Sequence, residues 1–124
     1  GANDEFISSP RLDNLLSVHV SLEGFLDAMD TVDNDDGIRC VVYFDHEEIG
    51  SSSAQGAASV MMHDFVNRLT KVCADKDTPV DAMNTTVEKS YIISCDMAHA
   101  IHPNYPGKHE PNHAPKFHEG PVIK

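Results

Sequence analysis

Basic residues are scarce in this chain, cysteines are few and no long apolar run occurs. Nine Lys and Arg stand against twenty Asp and Glu, a formal net charge of -11. Phosphate backbones are bound by clustered Lys and Arg, so this balance argues against a nucleic-acid surface and weakens a membrane-surface role. No stretch approaches the roughly 20 apolar residues that span a bilayer, and the N-terminus has neither the basic nor the apolar part of a signal peptide. Cys40, Cys73 and Cys95 are widely spaced and embedded in apolar runs. They predict buried, reduced thiols rather than a disulfide framework, which favours a reducing compartment. What remains is ordinary: 124 residues, 40% hydrophobic and 23% charged, the profile of one soluble folded domain.

Hydrophobic periodicity divides the chain into segments. From Leu12 to Met29, the residues Leu15, Val18, Leu22, Phe25, Leu26 and Met29 recur at helical spacing and predict an amphipathic helix. The polar cluster from Asp30 to Gly37 ends it with turn chemistry. Ile38 to Phe44 is short, apolar and rich in β-branched and aromatic residues, which predicts a strand buried on both faces. Ser51 to Ser53 offer hydroxyl caps. A second helical stripe then runs through Ala58, Met61, Met62, Phe65, Val66, Leu69 and Val72. Ala74 to Lys89 is polar, poorly periodic and interrupted by Pro79, and Tyr91 to Cys95 predicts a second buried strand. Alternating helix and strand point to an α/β layer structure, a partly parallel sheet flanked by helices with functional groups at strand ends.

Carboxylates stand where that rule puts chemistry. Glu47 and Glu48 are adjacent within Asp45-His46-Glu47-Glu48-Ile49-Gly50-Ser51, directly after the first apolar run. Adjacent like charges need compensation, and a metal ion supplies it if one carboxylate ligates while the other takes a proton from water. A solvated loop is the alternative. Asp96 follows the second run and is succeeded by Met97-Ala98-His99-Ala100-Ile101-His102-Pro103, where it either belongs to a site or caps a short helix starting at Met97. Asp13, in Arg11-Leu12-Asp13-Asn14-Leu15, has the same two readings. Converging carboxylates suit hard or borderline divalent ions and can bridge two of them. His109, His113 and His118 read as solvated or hydrogen-bonded loop residues; His99 and His102 are stronger candidates because they adjoin Asp96. No GxSxG elbow or Walker A loop occurs.

Three motifs in order, Ser9-Pro10-Arg11-Leu12-Asp13-Asn14-Leu15, Asp45 to Ser51, and Asp96 to Tyr105, together with the closing Gly120-Pro121-Val122-Ile123-Lys124, resemble the aspartyl aminopeptidases across essentially the whole chain. The resemblance implies a two-zinc exopeptidase in which Asp13 bridges the metals, Glu48 binds one zinc, Asp96 binds the other and Glu47 is the general base. It implies a substrate with an N-terminal Asp or Glu, Lys124 as the cation meeting the substrate carboxylate, and His102 presented across a subunit boundary. It also implies a homo-oligomer, a tetrahedral dodecamer, located in the cytoplasm or the vacuole. An upstream His ligand, its orienting Asp, a downstream His ligand and an inserted dimerisation domain are expected by that family and missing from these residues. Residues 1 to 124 are accordingly expected to be the central part of one metallopeptidase catalytic domain, inactive alone. The other readings are a two-metal aminopeptidase of different specificity and a non-catalytic piece that supports assembly or binds partners.

Overall fold

The period of 3.6 that marks two segments of the sequence produces two helices, the second starting three residues later than its apolar stripe. In a computed structural model describing residues 1 to 124, α1 runs Leu12–Ala28 and continues as a 3-10 turn over Met29–Asn34, α2 runs Met61–Cys73, α3 runs Ala82–Glu88, and a short 3-10 turn covers Pro106–Lys108. The chain forms two units: Gly1–Asp35 with Cys95–Lys124, and Asp36–Ser94.

In the first unit, α1 begins after Arg11, whose φ of 62° places it in the left-handed region. No side chain caps this helix, and Asp13 and Asn14 in its opening turn have non-helical dihedrals. At its far end the Met29 amide donates to the Leu26 carbonyl, tightening the last turn into the 3-10 stretch. The aspartates from Asp30 onward therefore prolong helical structure to Asn34 before the chain turns. Val18, Phe25 and Met29 of the apolar stripe are half-buried, whereas Leu15, Leu22 and Leu26 are exposed. The remainder of the unit is irregular and tied by local contacts. Phe6 packs at 5.6 Å between ring centres on Phe117 and stacks on His118, and the Ile101 amide donates to the Pro115 carbonyl at 2.9 Å.

In the second unit, α2 rests on α3. The start of α2 is set by Ser59, whose hydroxyl accepts the Met61 amide at 3.2 Å; Ser51 to Ser53 lie too far upstream to cap it. Met62, Val66 and Leu69 are half-buried along one face. Full burial of such side chains contributes about 1.5–3 kcal/mol each, so half burial contributes on the order of 1 kcal/mol each. Helix α3 was hidden in the sequence by Pro79 and weak periodicity. Pro79 precedes the helix, where a missing N–H costs little, and its carbonyl accepts the Ala82 amide at 3.1 Å.

The expected sheet does not form. Ile38 to Phe44 and Tyr91 to Cys95 carry no strand or bridge pairing, and the structure has helices alone. β-branched and aromatic composition states a local preference, but a strand is stable only against a paired neighbour that fits its faces. Neither run is buried: Ile38 is 65% and Tyr91 89% exposed. The three cysteines are free and exposed rather than buried, for the same reason. No hydrophobic side chain in the chain is fully buried.

Candidate active site

The motif around Glu47 and Glu48 is a self-closed loop. The Asp45 amide donates to the Gln55 carbonyl at 3.1 Å, the Gly50 amide to Glu47 at 2.9 Å, the Ser51 amide to His46 at 3.0 Å and the Ala58 amide back to Ser51 at 3.0 Å. His46 and Ser51 flank the double glutamate with positive φ of 63° and 62°, and Gly50 between them has φ 98°, a region where only glycine is unstrained. The His46 ring holds the loop through a 2.7 Å contact from Nδ1 to the Ser53 hydroxyl. Gly56 is buried at the centre of the loop; a Cβ there would collide with the Ser51 carbonyl. Glu47 and Glu48 project from this scaffold as exposed carboxylates. Sequence reading passed over Gly56, whose signal was a glycine inside a serine- and alanine-rich stretch with no turn partner beside it.

In the other unit the motifs of Asp13 and Asp96 are joined. Asn14 Nδ2 donates to the Cys95 carbonyl at 3.3 Å, linking residues 81 apart in sequence, so the neighbours of the two aspartates are held together. The amide oxygen of Asn14 is buried with no partner. Asp13 supplies no cap to α1. Asp96 begins no helix either: its Oδ1 accepts only the adjacent Met97 amide, at 2.8 Å, and the residues after it are irregular. The capping reading of both aspartates is thus not realised. Lys124 reaches the same place, with Nζ 3.4 Å from Asp96 Oδ2 and donating to the Met97 carbonyl at 3.2 Å. The side chains of this ion pair are 58% and 50% exposed, so it adds little stability.

The histidines fall into different environments. His102 is exposed, its Nδ1 accepts the Asn104 amide at 3.1 Å and its ring tilts onto Tyr105 at 5.0 Å. An Nδ1 that accepts is unprotonated, so the neutral ring carries its proton on Nε2, where it is available as a donor. His99 lies edge-on to His109 at 5.3 Å, and its Nδ1 is 3.3 Å from the Ala100 carbonyl. His113 pairs with Glu110 at 2.8 Å.

The family model for aminopeptidase I zinc metalloprotease (M18) matches residues 1 to 124, the full length of the chain. The chain belongs to this family. It is 47% identical over 127 residues to a probable aspartyl aminopeptidase of Ricinus communis, 48% identical over 130 residues to aspartyl aminopeptidase 4 of Saccharomyces cerevisiae and 43% identical over 129 residues to an aspartyl aminopeptidase of Dictyostelium discoideum. These alignments take in 100% of this chain but 25%, 26% and 27% of the respective relatives. The chain thus spans about a quarter of the length of the curated relatives it matches.

A zinc metalloprotease family implies a metal, and the donor set can be tested for it. Catalytic zinc takes three protein ligands and keeps one position for water or substrate. Within neither unit does a group of three or more His, Cys, Asp or Glu converge in a way that could hold a metal ion. The one candidate ligand with a cationic partner, Asp96, has it in Lys124. Neither unit by itself therefore completes a zinc site.

Proposed function

We propose that the full-length protein is a zinc-dependent aminopeptidase that removes Asp or Glu from the N-terminus of peptides, and that this segment supplies part of its active site. The observation carrying this reading is the match of all 124 residues to the family, with relatives named aspartyl aminopeptidases at 43–48% identity. Two ions per complete site are proposed, with Asp13, Glu48 and Asp96 joining ligands from outside the segment. Glu47 handles protons: its carboxylate takes one from the attacking water as the new C–O bond forms, and returns it to the leaving amine as the C–N bond breaks. Lys124 meets the acidic side chain of the substrate, and its present position on Asp96 Oδ2 is consistent with a carboxylate preference. His102, with its Nε2 proton, donates to the substrate or the developing oxyanion of a neighbouring subunit. A homo-oligomer, dodecameric in form, and a cytoplasmic or vacuolar location complete the proposal.

The deciding experiment is E47Q in the full-length enzyme. Turnover of an aspartyl chromogenic substrate is expected to fall by at least about 100-fold, the usual weight of a general base, with zinc content unchanged by elemental analysis. Normal turnover would remove Glu47 from the reaction. Faster cleavage of a leucyl than of an aspartyl substrate by the unmodified enzyme would overturn the acidic specificity and leave the proton chemistry standing.

A further inference from the structure

We propose that Ser53 and His46 form a positioning clamp that sets the direction of the Glu47 carboxylate, so that proton transfer depends on two residues that do not touch the substrate. The proposal rests on the reading of Glu47 as the general base and adds the residues that aim it. Ser53 is no helix cap, since α2 is started by Ser59. Its hydroxyl lies instead 2.7 Å from Nδ1 of His46, seven residues back. Asp45 Oδ2 stands 3.9 Å from Nε2 on the other side of the ring. A carboxylate there favours the tautomer with its proton on Nε2 and leaves Nδ1 to accept the Ser53 hydroxyl. Ser53 is itself a fixed post: its carbonyl accepts the Gly56 amide at 3.1 Å, and Gly56 is buried.

His46 needs such a hold. Its φ of 63° crowds Cβ against the following carbonyl in any residue but glycine, and strain of this kind persists only where its surroundings impose it. The His46 amide donates to Asp45 Oδ1 at 2.8 Å, its carbonyl accepts the Ser51 amide at 3.0 Å, and its ring is tied to Ser53. The ring thereby joins the residue that enters the loop to the segment that follows it. Glu47 leaves directly from His46, is exposed, and takes its direction from the backbone that carries it. Relaxation of His46 to a negative φ swings the next peptide and the Glu47 side chain with it. A general base works only within hydrogen-bond reach of its proton, and a misplacement of about 1 Å costs on the order of 100-fold in rate.

Four variants of the full-length enzyme test the clamp: S53A, H46A, H46G and the double variant S53A/H46G. Turnover of an aspartyl chromogenic substrate is counted per zinc-loaded molecule, so that lost metal does not imitate lost aim. S53A and H46A are expected to lower kcat by about 10- to 100-fold with KM within about twofold, the pattern of an interaction that serves the chemical step alone. Glycine takes a positive φ without strain, so H46G is expected to keep more activity than H46A. Adding S53A to H46G is expected to change kcat by less than about twofold, because Ser53 then has no ring to hold. If S53A or H46A folds poorly, the comparison of H46G with S53A/H46G still decides, since the glycine backbone does not depend on the clamp. Full turnover in S53A overturns the proposal, as does a rise in KM with kcat retained. An S53A loss of equal size with and without His46 also overturns it, by placing the work of Ser53 elsewhere. E47Q is assayed alongside: a dead E47Q beside a fully active S53A overturns the clamp and leaves the aminopeptidase reading standing. An active E47Q overturns both, because no base remains to be aimed.

Discussion

Replacing Gly56 by alanine is expected to open the loop that carries Glu47 and Glu48. The added methyl would meet the Ser51 carbonyl, which also accepts the Ala58 amide at 3.0 Å, so relieving the collision withdraws that acceptor. Overpacking costs about 1–3 kcal/mol and the lost hydrogen bond about 1 kcal/mol more. At tenfold per 1.4 kcal/mol, the ratio of closed to open loop falls between about 30-fold and several hundred-fold. Amide hydrogen exchange at Ser51 and Ala58 in the full-length protein reads this ratio directly, and turnover should fall with it because the double glutamate loses its scaffold. Gly24 is the control. It lies in α1 with nothing within 4 Å of a built Cβ, so G24A should leave the loop unchanged and stabilise the helix by up to about 1 kcal/mol. Unaltered exchange at Ala58 in G56A would refute the argument, because the collision is its whole basis.

Two further outcomes are expected. Asp75 is held below its ordinary value of 3.8 by the Asp77 amide and then by the Thr78 hydroxyl, which donate to its carboxylate at 2.9 and 3.0 Å. A lowered folded value means that the contribution to stability is complete above pH 3.8 and disappears as pH falls through the folded value. T78V should move the carboxyl midpoint part of the way back up in a carbon-detected NMR titration, and an unmoved midpoint would exclude the hydroxyl as a cause. Lys124→Ala should leave urea stability within about 1 kcal/mol, because the Asp96 pair is exposed. It should raise KM for aspartyl substrates more than for leucyl ones; an equal change for both would remove Lys124 from side-chain recognition.

Local order was legible where it depends on local chemistry. The stripes from Leu15 to Met29 and from Ala58 to Val72 specify helices over most of their length, because one apolar face at 3.6-residue spacing suffices to define them, although α2 begins only at Met61. Ile38 to Phe44 and Tyr91 to Cys95 misled because a sheet is a property of paired segments, and neither run pairs as a strand here. Helix α3 escaped notice because Ala82 to Glu88 is too short to display a period. Of the candidate site, the adjacency of Glu47 and Glu48 after an apolar run was readable, with a metal-binding pair and a solvated loop both open. The positive φ values that shape their loop, and the dependence on Gly56, were not. The joint between the Asp13 and Asp96 motifs belongs to Asn14, an amide that sequence reading treated as a neighbour of the carboxylate and not as a strut.

The reach of that Asn14 bond has a consequence for synthesis. Its two partners are 81 positions apart, and at a ribosomal pace of about 5–20 residues per second the first waits roughly 4–16 s for the second to be made. Through that interval the nascent Asp13 region has nothing to clasp. A contact of such sequence separation closes late and slows folding relative to a chain whose early contacts are all near in sequence.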